Sequence, residues 1–254
     1  MQKRYQQKGA EKITCCALFL QETDGSWKEE EVGPGQRQKL RALYQSVWPD
    51  LLVIGYPGLQ TAALLLQHKK EELTGAFPAW LLGQVSLEKT GAGAFAESCQ
   101  KSRADIGALL SRGSGHFALS KELPPLLFQA SEHGVFGALW ELGETLGCGM
   151  EAELLQIPMK QSVVEVLGHY QLNPYELPSE GVFLLVCRNG RAAEKLLCKN
   201  GLACSLIGQI TPHADRILFS GEEVRHLNIP RKSDLADLKR VLKKRNSDND
   251  FSLA

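Results

Sequence analysis

Val182-Phe183-Leu184-Leu185-Val186-Cys187 is six apolar residues without a polar interruption, bounded by Gly181 and by Arg188-Asn189-Gly190. Such a run predicts a buried strand. A helix follows over 191–199, with Ala193, Leu196 and Leu197 on one face and Asn200-Gly201 as its stop. Ala203 to Ile207 is the next strand, Gly208 to Thr211 leaves it, and Arg216 to Ser220 is another. A strand, a helix, a strand and a hairpin in this order make a ferredoxin-like βαβ arrangement, which requires a right-handed crossover.

The rest of the chain reads as further amphipathic elements. Residues 13–20 predict a strand, 21–35 a loop, and 36–47 a helix stopped by Pro49-Asp50. LLVIG (51–55) is a short buried strand. Tyr56-Pro57-Gly58 turns the chain, because proline fixes φ and glycine frees it. A helix over 59–73 turns Ala62, Leu65 and Leu66 inward, with Lys69 to Glu72 as its solvated end. Beyond it come a short helix (79–82), a helix over 87–111 broken near Gly91–Gly93, a strand or connector at 116–119, and a helix beginning at Pro124-Pro125. Val135, Leu139, Leu142 and Leu146 recur at helical spacing up to Gly147. Residues 151–157 alternate as a strand does. Residues 160–170 predict a helix with Val163, Val164 and Leu167 inward, and Asn173-Pro174 is a turn. A basic helix over 233–244 and a frayed polar tail close the sequence.

Charge narrows the function classes. Lys and Arg total 29, and Asp and Glu total 29. A net charge of zero argues against nucleic acid as a partner, since phosphate neutralisation needs a basic excess. The basic tail is read as a solvated helix end. No stretch approaches a membrane span, and the apolar run Cys15–Leu20 is too short for a leader, so a cytoplasmic chain is expected. The seven cysteines are odd in number and contain no CxxC; reduced core thiols are the expectation. The six histidines form neither HxH nor HxxxH, so no metal centre is expected.

SEHGVFGALWELGETLG (131–147) resembles the C-terminal half of the aminoimidazole-ribonucleotide synthetase-related (PurM-like) superfamily, closest to its hydrogenase-maturation-factor-like members. The likeness continues through 150–186 and resumes at LIGQITPHADRILFSGEE (206–223). GYPGLQTAALLL (55–66) resembles the glycine turn and helix that open that domain. The resemblance implies an α+β fold: a PurM C-terminal-like domain, a mixed sheet covered by helices with a ferredoxin-like βαβ portion. It divides the chain into a short N-terminal remnant (1–50: strand, loop, helix), the C-terminal domain (51–232), and the basic helix with its tail (233–254).

Members of that family use ATP to phosphorylate an amide or thiocarboxamide oxygen, a phosphate group, or selenide. A strand-borne Gly-Asp-Asp motif in their N-terminal domain holds metal-ATP. No Gly-Asp-Asp occurs in this sequence, and Asp24 is followed by Gly25. Where the family has Asp, Thr and then Glu-Gly-Gly, this chain has Gln129, Ser131, Glu132, His133 and Gly134. A histidine cannot replace glycine where φ is positive or where a phosphate must approach the backbone. Thr61 stands where a smaller residue is frequent.

Two turns are therefore the candidate anion or ligand sites: Gly55, Gly58, Leu59 and Gln60 at one helix start, and Ser131, Glu132, His133 and Gly134 at another. At the second, Ser131 reads as the helix N-cap and Glu132 favours the positive dipole end. A Ser131-Glu132-His133 triad is rejected, because adjacent residues rarely converge. Gly113-Ser114-Gly115-His116 lacks the spacing of a nucleophile elbow. No catalytic residue is assigned and no cofactor is expected. ATP with magnesium is expected only with a partner. The reading is a degenerate, non-catalytic binding or assembly module, with a homodimer or a protein carrying an ATP-binding domain as partner. The alternative is an ATP-dependent kinase or maturation enzyme completed by a chain that supplies the acidic motif.

Overall fold

The computed structural model describes residues 17–29, 38, 42, 48–85, 92–112, 116–119, 125–230 and 232–243. Nine strands join in one sheet among them: β1 (Ala17–Gln21), β2 (Trp27–Glu29), β3 (Asp50–Ile54), β4 (Leu126–Gln129), β5 (Gly149–Glu153), β6 (Phe183–Cys187), β7 (Cys204–Thr211), β8 (Arg216–Ser220) and β9 (Glu223–His226). Their order is β2-β1-β4-β6-β3-β7-β5-β8-β9. Every pairing is antiparallel except β5 with β8, so the sheet is mixed.

The eight helices of the described residues are α1 (Leu59–His68), α2 (Lys70–Ala76), α3 (Ala79–Val85), α4 (Ala92–Ser111), α5 (Gly134–Leu146), α6 (Gln161–His169), α7 (Gly190–Lys199) and α8 (Lys232–Lys243), with a 3₁₀ turn at Leu154–Gln156. The predicted apolar run is β6, and all five of its residues are buried. β3 lies between β6 and β7 and pairs antiparallel with both, so the β6–α7–β7 unit is split by a third strand.

Alternation along β3 explains why helices flank both faces. Leu51 and Val53 enter one core with Val135, Leu139, Leu142 and Leu146 of α5. Leu52 and Ile54 enter a second with Ile106 and Leu110 of α4 and Ala193 and Leu197 of α7. Burying each of these leucines in full contributes about 1.5–3 kcal/mol. A third core joins α1, α3, α6 and α8 through Leu65, Leu82, Val166, Leu167 and Leu238. Gly147, with φ 65°, ends α5 in the left-handed position expected of it. Trp140 of α5 is a boundary residue: it packs against the first core, with the Arg216 guanidinium 4.0 Å from its ring centroid.

Several expectations are corrected. Pro125 opens β4 rather than a helix. Leu126–Gln129 is claimed by strand partners on both sides, and a proline at a strand's entrance forfeits no ladder bond. The polar stretch after β1 holds β2, whose Trp27 Nε1–H donates to the Arg103 carbonyl at 2.7 Å. The 59–73 helix breaks at Lys69 (φ −124°, ψ 32°), and Lys69 is buried rather than solvated. α4 runs unbroken through Gly93, while 86–91 lies outside the described residues.

β7 continues through Gly208 to Thr211. A Cβ at Gly208 would strike the Glu151 carbonyl of the neighbouring strand, so glycine permits the strand to continue there. β5 ends at Glu153, and Leu155 in the 3₁₀ turn is exposed. In α6 the buried stripe is Val163, Val166 and Leu167, while Val164 faces outward. Gln38 and Ala42 are helical, as the 36–47 reading expects; the other residues of that stretch lie outside the described set, as do 13–16, Gly113–Gly115 and the tail.

Candidate ligand-binding site

The first turn leaves β3 at Gly55 (φ 100°) and enters α1 at Gly58 (φ 74°). Both glycines have neighbours that explain them. A Cβ at Gly55 would lie 2.6 Å from the Gly181 carbonyl oxygen, and one at Gly58 would lie 2.7 Å from Leu167 Cδ1. The Gly58 N–H donates to Ser179 Oγ at 3.0 Å. The Leu59 N–H turns back to the Tyr56 carbonyl. Gln60 Oε1 accepts from the Glu180 N–H at 3.2 Å. Thr61 is 1% exposed, and its hydroxyl donates to the Pro178 carbonyl at 3.2 Å.

The second turn joins β4 to α5. The Ser131 carbonyl accepts from the Gly134 N–H and from the Ser179 N–H, each at 3.1 Å. Gly134 has φ 63°, and a Cβ there would lie 2.5 Å from the Tyr175 carbonyl oxygen and 2.6 Å from that of Leu177. The Phe136 N–H, an orphan donor of the first helical turn, is met by the Tyr175 carbonyl at 3.0 Å. His133, not Ser131, occupies the cap position, and its side chain makes no capping bond. The reason is geometric: Ser131 and Gly134 pair through their backbones in an isolated bridge, which places the helix start two residues later.

The two turns, 76 residues apart in sequence, thus meet on one segment. Ser179 ties both: its N–H goes to Ser131, its Oγ accepts from Gly58, and its hydroxyl donates to the Leu177 carbonyl at 2.8 Å. Ser179 is 2% exposed. Residues 174–181 form a strap across both helix starts. Gln129 Nε2 holds the strap's Glu180 carbonyl at 2.8 Å, and the Cys99 thiol approaches the same oxygen at 3.4 Å. Burial, with the Glu180 charge beside it, pushes that thiol up to about 11.

One side of the second turn stays open. A pocket of about 280 Å³ lies between the start of α5 and the chain leaving β9. His133, Phe136 and Gly137 form one wall; Arg225, His226, Asn228 and Pro230 form part of the other. Tyr175 stacks on Phe136 with centroids 5.1 Å apart, and burial raises its phenol against the opposing effect of Arg225. His133 is buried, whereas Glu132 is solvated, and His133 Nε2 stands 3.7 Å from Glu132 Oε1. No hydroxyl–imidazole relay is built there. Sequence reasoning placed both turns but missed Ser179, the strap and Arg225. The proline-framed, aperiodic stretch NPYELPSEG was the available signal for the strap.

Among the described residues no group of three or more His, Cys, Asp or Glu side chains is placed to hold a metal ion, and no helix is long and apolar enough to cross a membrane.

No family model matches the sequence, and no curated protein matches it. Solved structures do match in fold. The hydrogenase maturation protein HypE of E. coli aligns with a TM-score of 0.53 at 20% identity, over 77% of this chain and 54% of that one. A second HypE structure gives 0.54 at 15% identity, over 75% and 55%. A HypE–HypF complex gives 0.52 at 14% identity, over 73% and 54%. The chain therefore shares the α+β fold of these HypE structures, and it spans about half their length.

Proposed function

We propose that this chain is a binding or assembly module on the PurM-like fold, and that alone it does not carry out phosphoryl transfer. The observation that supports this most is the strap. At the first turn the Gly58 N–H is held by Ser179, and at the second the Phe136 N–H is held by Tyr175. A phosphate cradle needs such donors facing an open approach. Here Gly55 and Gly134 serve close packing of backbone on backbone, Gly58 makes room for the side chains of Leu167 and Pro174, and a phosphate does not fit at Gly58 without displacing Ser179.

The ligand-accepting face is the one bounded by His133 and Arg225. The HypE–HypF complex supports reading this fold as one that assembles with a second protein. A homodimer, or a partner that carries the acidic metal-ATP motif, is the assembly that suits it.

Calorimetry of the purified chain with magnesium-ATP and with ADP tests the proposal. Micromolar affinity needs about 8 kcal/mol, whereas an exposed helix end offers ~0.3–1 kcal/mol to an anion. The expected result is no saturable heat in the micromolar range. Tight, magnesium-dependent ATP binding by the chain alone would overturn the proposal in favour of a phosphoryl-transfer enzyme.

A further inference from the structure

The pocket beside α5 has a chemistry that the phosphate question leaves untouched. His133 lines it and is 5% exposed, yet its Nδ1 meets no hydrogen-bond partner. A buried nitrogen without a partner is costly unless something meets it. Its other nitrogen does not take up the ring, because Glu132 Oε1 at 3.7 Å is beyond hydrogen-bond distance. Arg225 borders the same space with its guanidinium 5.3 Å from the Phe136 ring centroid, and His226 and Asn228 are beside it. Glu176 is the single carboxylate among the lining residues. Leu218, Leu227 and Ile229 supply an apolar floor.

From these features we infer that the pocket binds a small organic carboxylate, its charged group between His133 and Arg225 and its apolar body against Phe136 and Leu227. The size fits: about 280 Å³ is at the lower end of ligand cavities, room for a compact acid and not for a nucleotide. The charge also fits. Arg225 supplies a permanent planar fork suited to a carboxylate. His133 adds a second polar ring to the same lining. The inference rests on the reading of this face as the ligand-accepting one: failure of carboxylate binding removes that face, whereas magnesium-ATP binding by the chain alone overturns the non-catalytic reading separately.

Benzoate is the probe and benzamide, its uncharged isostere, the control, each titrated into the full chain and followed by calorimetry and by the His133 imidazole resonances. Benzoate is expected to saturate with movement of the His133 signals, and benzamide to bind at least about tenfold more weakly, as the loss of a charge-assisted hydrogen bond implies. Arg225→Gln, an exposed substitution, should weaken benzoate about tenfold, as should His133→Phe, while Arg191→Gln on another surface should change nothing. Equal binding of benzoate and benzamide would overturn the inference. So would the absence of saturation by about 10 mM, a range in which a 4 kcal/mol site is visible. Unaltered benzoate affinity in Arg225→Gln would overturn it as well, even if His133→Phe fails to fold.

Discussion

The two glycine turns look alike in sequence and differ in what surrounds them. At Gly58 the neighbours are side chains: Leu167 Cδ1 and Pro174 lie where a Cβ would go, and a serine hydroxyl meets the N–H. At Gly134 the neighbours are the backbone carbonyls of Tyr175 and Leu177. The first turn has its Gly58 and Leu59 donors occupied, while the second is closed behind by the strap and open in front at His133. A positive-φ glycine at a helix start is therefore not in itself a mark of phosphate binding. In this chain both glycines pack against one internal strap, and His133 places a buried imidazole on the open side.

That contrast can be broken by substitution. Gly134→Ala should have the largest effect. It forces a Cβ into a left-handed residue, costing about 1–2 kcal/mol, and adds a collision with two carbonyls that cannot rotate away. A loss above about 3 kcal/mol in urea unfolding is expected, and a loss below about 1 would mean that the strap yields easily. Ser179→Ala should come next. It leaves the Gly58 N–H buried without a partner, a cost of about 1–3 kcal/mol. Chemical denaturation and amide exchange at Gly58 report it together, and unchanged protection at Gly58 would show that the hydroxyl is not its partner.

Gly58→Ala should be milder than Gly134→Ala, at about 1–2 kcal/mol, because the tip of Leu167 can move aside. A reversed order between the two glycine variants would undo the distinction between side-chain and backbone neighbours. Thr61→Val is the smallest expected effect. It removes one hydroxyl bond to Pro178 while keeping shape, for about 0.5–1.5 kcal/mol. A larger loss would mean that Thr61 anchors the strap more firmly than Ser179 does.

The parts that were legible in the sequence are those where one periodicity dominates. β6 was readable because six consecutive apolar residues admit little but a buried strand, and α5 because Val135, Leu139, Leu142 and Leu146 keep a helical stripe up to a left-handed Gly147. β4 was misread because Pro124-Pro125 gave a local helix signal, whereas pairing with β1 and β6 decides the outcome and is invisible locally. β2 is three residues long, two of them charged, and is held by Trp27 reaching α4, a contact 76 residues away.

Both candidate turns were placed correctly as turns, yet their closure was hidden. The strap has no periodicity, and its hold depends on Ser179 reaching two segments far away in sequence. Ser131 was read as a cap because a serine one turn before an apolar stripe is the local signature; the backbone bridge to Gly134 moved the helix start to His133. Arg225 gave no signal at all, since an arginine in an exposed hairpin strand becomes meaningful only once α5 is set beside it.

On the proposed reading the Gly58 amide belongs to Ser179 and not to a phosphate. Nitrogen–proton correlation spectra of the full chain, recorded while magnesium-ATP is added to millimolar excess, test it at that single residue. The Gly58 cross-peak should stay in place and its proton should exchange slowly throughout. A Gly58 shift that saturates with ATP, and that disappears when magnesium is removed, would contradict it.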